Sequence, residues 1–378
     1  MSSPLSPFEF AKSENEAEET RMHRKKALNY MRCYPSLQLA AYMGDITVVR
    51  TLLEDGVDAN INDRCFGYPL KAAVLGHRHS IVRALVQRMD HRGGLAYCLS
   101  LQAACHRGDT ESMQIILDRL GNGLICGMHN KTLDQDYHLT HLLVIASGKG
   151  HIQAARLLLE RYKADINIRD YTGKAPLITA VRENQPQMFR LLFEWPGVQL
   201  NVRDRDSGTP LICAVELGQV DTVRLLLSRP EADPNATPEG PYDVLGIAVR
   251  HQNYEIVRLL LQRRDLRPRF REGWTCPMRI ALEGRSLAIL DMILNSCHVR
   301  FGHYRTDMAL LFTAIAKPVL NCAEWVRLLL RQRGVNPNQR DELGRTPLFF
   351  VITEYYEHDK IIRILLDHRD VDPNLESY

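Results

Sequence analysis

From Leu37 onward the apolar residues keep one register, set by an anchor near the start of a short apolar segment and a second apolar residue twelve positions later. The pairs are Leu37/Val49, Leu70/Val82, Leu101/Met113, Leu143/Ala155, Leu177/Phe189, Leu211/Val223, Leu245/Val257 and Met278/Leu290. Leu311/Val326 and Leu348/Ile362 keep the order with short insertions, giving ten repeats. Three residues after the anchor stands Ala40, Ala73, Ala104, Ala146, Ala180, Ala214, Ala248, Ala281 or Ala314, with Val351 in the last repeat. A small residue there lets neighbouring helices approach closely. The second segment is leucine-rich, reading VRLLL from 223, 257 and 326. Apolar residues at i, i+3 and i+4 predict an amphipathic helix. Such a helix cannot bury its face alone, so the repeats must stack.

The punctuation fits paired helices. In Gly208–Asn235 the chain runs through a turn glycine, Thr209-Pro210, a short apolar helix, Gly218, a second helix ending in Leu225-Leu226-Leu227, and an exit through Asp233-Pro234-Asn235. Threonine can cap a helix, and proline suits the first turn because its missing N–H has no partner there anyway. Gly150 and Gly218 can take positive φ between paired helices, and Gly173 and Gly344 can do so in the longer turn that projects from each repeat.

These residues carry a family resemblance. Asp170-x-x-Gly173-x-Ala175-Pro176-Leu177, Gly208-Thr209-Pro210-Leu211 and Asp341-x-x-Gly344-x-Thr346-Pro347-Leu348 resemble ankyrin repeats. So do the alanine and VRLLL positions and the asparagines Asn60, Asn167, Asn201, Asn235, Asn338 and Asn374. The Asp-Pro-Asn exits are also similar to those of large intracellular ankyrin arrays of filamentous fungi. The resemblance implies an all-α ankyrin-repeat solenoid of stacked helix-turn-helix repeats with projecting β-turn loops. The array spans 33–378, after a polar segment over 1–32 that is flexible at first and then has the makings of a capping helix. Two departures stand out. The histidine that usually follows the anchor leucine is absent throughout, replaced by residues such as Ile178, Ile212, Gly246, Arg279 and Phe349. Between the third and fourth repeats the anchor spacing rises to 42, leaving a polar loop around 121–137.

Composition narrows the function class. The net charge of +3 lacks the basic footprint of a nucleic-acid binder. No apolar run has the length of a membrane span or a signal peptide. Nine scattered cysteines without a C-x-x-C pair point to a reducing compartment and away from a zinc knuckle. A cytoplasmic protein is expected. The basic cluster Arg21 to Lys26 has the form of a nuclear-import signal, although a solvated helix face is the simpler reading.

In the resembled family, partners bind a concave groove formed by the first helices and the projecting turns. Five and six residues after the anchor, that surface carries Arg182, Glu183, Glu216, Leu217, Arg250, His251 and Glu283, with Tyr42, Met43 and Leu75 making its first end apolar. Tyr171, Tyr242 and Trp274 lie on projecting turns. These charges are expected either to contact a protein partner or to pair with one another as a solvated face. No G-x-S-x-G, Walker, dinucleotide or H-E-x-x-H motif is present, so no catalytic residue and no cofactor is expected. His77/His79 and His138/His141 have metal-compatible spacing but lack a third ligand in sequence, so no metal is expected. A non-enzymatic scaffold that binds a protein through its groove is the leading reading. The alternative is an enzyme or accessory component of a small-molecule biosynthetic pathway, with a ligand site in the groove or beneath the 121–137 loop and His106 or His251 as its acid–base group.

Overall fold

The computed structural model describes residues 36–375, apart from 64–66, 90–93, 121–134, 168, 171–172, 206–207, 238–241, 269–275, 297–305, 317–321, 333–334 and 355–358. The polar segment 1–32 and most of the 121–137 loop therefore lie outside the described residues. Gln135 to Tyr137, expected in that loop, already belong to a helix.

Two compact parts divide near Tyr171. Among its described residues the first holds four helix pairs: α1 (Leu37–Met43) with α2 (Ile46–Glu54), α3 (Pro69–Leu75) with α4 (His79–Arg88), α5 (Gly94–Arg107) with α6 (Thr110–Leu120), and α7 (Gln135–Lys149) with α8 (Ile152–Arg156). The last of these continues as a π turn over Leu157–Arg161. The described residues of the second part hold six pairs: α9 (Pro176–Arg182) with α10 (Pro186–Glu194), α11 (Pro210–Glu216) with α12 (Val220–Leu227), α13 (Val244–Arg250) with α14 (Tyr254–Leu261), α15 (Pro277–Glu283) with α16 (Leu287–Leu294), α17 (Thr306–Ala316) with α18 (Cys322–Leu330), and α19 (Pro347–Glu354) with α20 (Asp359–Leu366). Within each part, first helices pack on first helices and second on second, making two layers.

Burial explains the register. All ten anchors are buried, as is every residue three positions later, Val351 included. One pairing shifts: in the last repeat Ile361 is buried and Ile362 only half-buried, so Ile361 takes the core position assigned to its neighbour. The missing histidine is replaced by packing in the middle repeats, where Ile178 and Ile212 are buried. In the first repeat Gln38 fills the same place and donates its Nε2 to the Ile61 carbonyl at 3.1 Å. The Thr-Pro starts behave as the residues dictate, with Thr209 Oγ1 accepting from the Ile212 N–H at 3.3 Å and Thr346 doing the same for Phe349.

In the second part, Asn201, Asn235 and Asn338 each tie an exit turn to the one after it. In Asp58-x-Asn60, Asp165-x-Asn167, Asp233-x-Asn235 and Asp372-x-Asn374, the aspartate accepts from the asparagine backbone N–H at 2.8–3.0 Å, closing the turn. The Asn201 amide then donates to the Glu231 carbonyl at 2.7 Å and accepts from Asp233 N–H at 2.9 Å. Asn235 does the same to Asp265 and Arg267, and Asn338 to Asp370 and Asp372. Each amide thus satisfies a donor and an acceptor of a loop that has no strand to pair with.

Seven residues after the anchor, the turn between paired helices takes positive φ. Glycine occupies it at Gly44, Gly108, Gly150 and Gly218, but His77, Asn184, Gln252 and Arg285 adopt the same geometry at φ 51–59°. A side chain there carries a steric cost of about 1–2 kcal/mol. Arg285→Gly should therefore raise stability by about 1 kcal/mol in chemical denaturation; an unchanged or lower midpoint would show that this turn is not strained.

Candidate functional site

Residues five and six positions past the anchor fall at the ends of the first helices, just beyond the buried alanine, and so emerge at the surface. In the second part Arg182, Glu183, Glu216, Leu217, Arg250 and His251 are all exposed, and Glu283 is half-buried. They form one row along the ends of α9, α11, α13 and α15.

Their engagements differ. Arg182 Nη2 lies 2.9 Å from Asp204 Oδ2, a carboxylate only 8% exposed whose other oxygen accepts from the Gly208 N–H. Arg182 therefore compensates a nearly buried charge in the projecting turn. Arg250 sits with its guanidinium 5.0 Å from the centre of the Tyr242 ring, which braces it through cation–π attraction. Glu283 accepts from Arg279 Nε, one helical turn back, at 3.2 Å. Glu183, Glu216 and His251 have no side-chain hydrogen bond or ion pair among the described residues. Leu217 is 52% exposed, a large apolar side chain in the middle of the row. Of the aromatic residues expected on the turns, Tyr242 joins the row, whereas Tyr171 and Trp274 lie outside the described residues.

An exposed ion network occupies the other layer. Arg224 and Arg258 both bind Glu255, and their hydrogen bonds hold its carboxyl below the usual range. Exposed pairs of this kind contribute little to stability.

The acid–base candidates are dispersed. His106 and His251 are exposed, and neither hydrogen-bonds a carboxylate among the described residues. Burial of part of the ring, with the charges of Lys149, His141 and His151, holds His106 below the usual histidine range. His141 Nδ1 is 2.7 Å from the Asp170 carboxylate in the next projecting turn, while the His138 side chain lies outside the described residues. His77 and His79 do meet a third donor, Asp109, thirty residues on in the next repeat, where sequence spacing could not reveal it.

Cys98 and Cys105 are buried and free, as are Cys213 and Cys276. Burial pushes the Cys105 thiol up to about 12, and its Sγ donates to the Leu142 carbonyl at 3.0 Å. Burial likewise pushes Cys213 up to about 11. No helix among the described residues is long and apolar enough to cross a membrane.

Comparison with known families gives two matches. A three-copy model of ankyrin repeats matches residues 101–204 and again 143–238, and a many-copy model of ankyrin repeats matches 37–86. Such repeats are in general protein-interaction modules. No curated protein matches the chain significantly, so the likeness to fungal arrays rests on the exit motif alone.

Because thiolates and not thiols are alkylated, Cys105 and Cys213 should stay unmodified by iodoacetamide at pH 8 in the folded chain, while the half-buried Cys322 reacts. Peptide mass spectrometry reads this directly, and rapid labelling of Cys213 would contradict its burial.

Proposed function

The chain is an ankyrin-repeat protein, and from that premise we propose that it is a non-enzymatic scaffold whose protein partner lies along the exposed row of the second part. Leu217 carries this reading. The repeat skeleton requires buried anchors and alanines, and nothing in it requires a large apolar side chain left half in water between Glu216 and the braced Arg250. The Arg250 guanidinium held on Tyr242 has the make-up of a binding hot spot, where one truncation costs about 2 kcal/mol or more, and Leu217 offers apolar area beside it. The carboxylates of Glu183 and Glu216 and the imidazole of His251, without side-chain partners among the described residues, supply a polar rim.

Arg182 takes a different role from Arg250. Removing it takes an opposite charge from the nearly buried Asp204, so its loss perturbs the turn as well as the surface. In this reading the protein works in the reducing cytoplasm, which suits its free buried cysteines.

A double variant, Leu217→Asp with Arg250→Ala, should weaken binding to the affinity-purified partner at least tenfold. Arg224→Ala, in the other layer, should leave binding unchanged. Equal binding by wild type and double variant, with Arg224→Ala impaired, would move the partner to the second helices and sink the proposal.

A further inference from the structure

We infer that the first part carries a divalent transition-metal site built from His77, His79 and Asp109. His77 holds the positive-φ turn between α3 and α4, and His79 is the first residue of α4. Asp109 precedes α6 in the next repeat. His79 Nε2 lies 2.9 Å from Asp109 Oδ1 and His77 Nδ1 lies 3.4 Å from Oδ2, with all three donor atoms within 4.8 Å of one another. Ligands bonded to zinc at tetrahedral angles stand about 3.3 Å apart; each imidazole lies near that distance from its own oxygen of Asp109, and a small movement of the side chains brings one atom from each residue, already within 4.8 Å of the others, onto one ion.

The surroundings are those of a metal site. The Asp109 side chain is only 3% exposed and is oriented by the Ser112 backbone N–H at 3.0 Å and the Ser112 hydroxyl at 2.8 Å. The other nitrogen of His79, Nδ1, lies 2.9 Å from Glu111 Oε2, and Glu111 is itself held by Arg83 at 2.9 Å. A carboxylate on the far nitrogen of a ligating imidazole fixes the ring and raises its basicity. The imidazoles are partly exposed, 47% for His77 and 32% for His79, which gives an ion a way in and leaves coordination positions for water. Two imidazoles and one carboxylate suit zinc, cobalt, nickel or copper better than calcium or magnesium.

The competing account is an inter-repeat hydrogen-bond clasp. At the matching positions further along, the Ser286 hydroxyl donates to the Tyr254 hydroxyl at 3.2 Å, which needs no ion. The His cluster differs because two imidazoles converge on one carboxylate and both nitrogens of His79 face carboxylates. Without an ion, protons must occupy the space between these donors. Arg107 Nε donates to His77 Nε2 at 3.0 Å, which keeps the proton of a neutral His77 ring on Nδ1, facing Asp109. An ion at Nδ1 sends that proton to Nε2 and releases the exposed Arg107 into solvent. Arg107, on His77, and Glu111, on His79, are the other charged groups bonded to these two imidazoles, and Arg83 reaches the site only through Glu111.

The test is titration of the metal-stripped full chain with Co2+ and then Zn2+, beside a His77→Gln/His79→Gln variant checked for wild-type helicity. The expected result is one equivalent of Co2+ with visible d–d bands, displaced by Zn2+, and at least about a hundredfold weaker binding by the double variant. Glu111→Gln, outside the ligand set, should weaken binding about tenfold or more. Equal Co2+ and Zn2+ binding by wild type and a folded double variant would overturn the site, as would failure of the wild type to bind either ion.

Discussion

A helix of seven residues cannot hold itself together in water, since isolated helices below roughly 12–15 residues are marginal even with favourable sequences. Six first helices of this protein, α1, α3, α9, α11, α13 and α15, have that length. Each persists because its anchor and its alanine are buried against neighbours. The packing comes first and the helices follow from it. This is why nine anchors are leucine and one methionine, and why nine of ten positions three residues on are alanine.

The loops meet the same constraint with polar chemistry. Among the described residues their backbone groups join no sheet, so an aspartate closes four of the exit turns, and the amides of Asn201, Asn235 and Asn338 bridge to the following turn. Once helices and turns are fixed by neighbours on either side, several residues five and six past the anchor have no partner to keep, while Arg182 is drawn into service by Asp204, Glu283 pairs with Arg279, and Gly76 leaves room for the Tyr42 carbonyl. Leu217, Glu216, Arg250 and His251 are therefore where this chain can differ from other arrays without cost to its fold.

Much of this was legible in the amino-acid sequence because burial leaves a periodic trace. The anchors, alanines and amphipathic second helices all lie where their spacing put them. What was hidden has identifiable causes. The positive-φ turn could be read at Gly150 and Gly218 but not at His77, Asn184, Gln252 or Arg285, because only glycine advertises that geometry. The core position in the last repeat moved from Ile362 to Ile361, since two adjacent isoleucines give periodicity nothing to choose between. Asp109 could not be tied to His77 and His79 because the stacking of two repeats, and no local spacing, brings them together. Within the candidate row, sequence fixed which residues emerge, but their engagements, such as Arg250 on Tyr242 and Arg182 on Asp204, depend on side-chain geometry.

The central claim is that the row along α9, α11, α13 and α15 binds the partner while the skeleton behind it serves only the fold. Site-specific photo-crosslinking tests it most directly, with a benzophenone amino acid placed at Leu217 in one variant and at Arg224 in another. The account predicts a covalent adduct with the co-purifying protein from position 217 and none from 224. Adducts from 224 alone would contradict it.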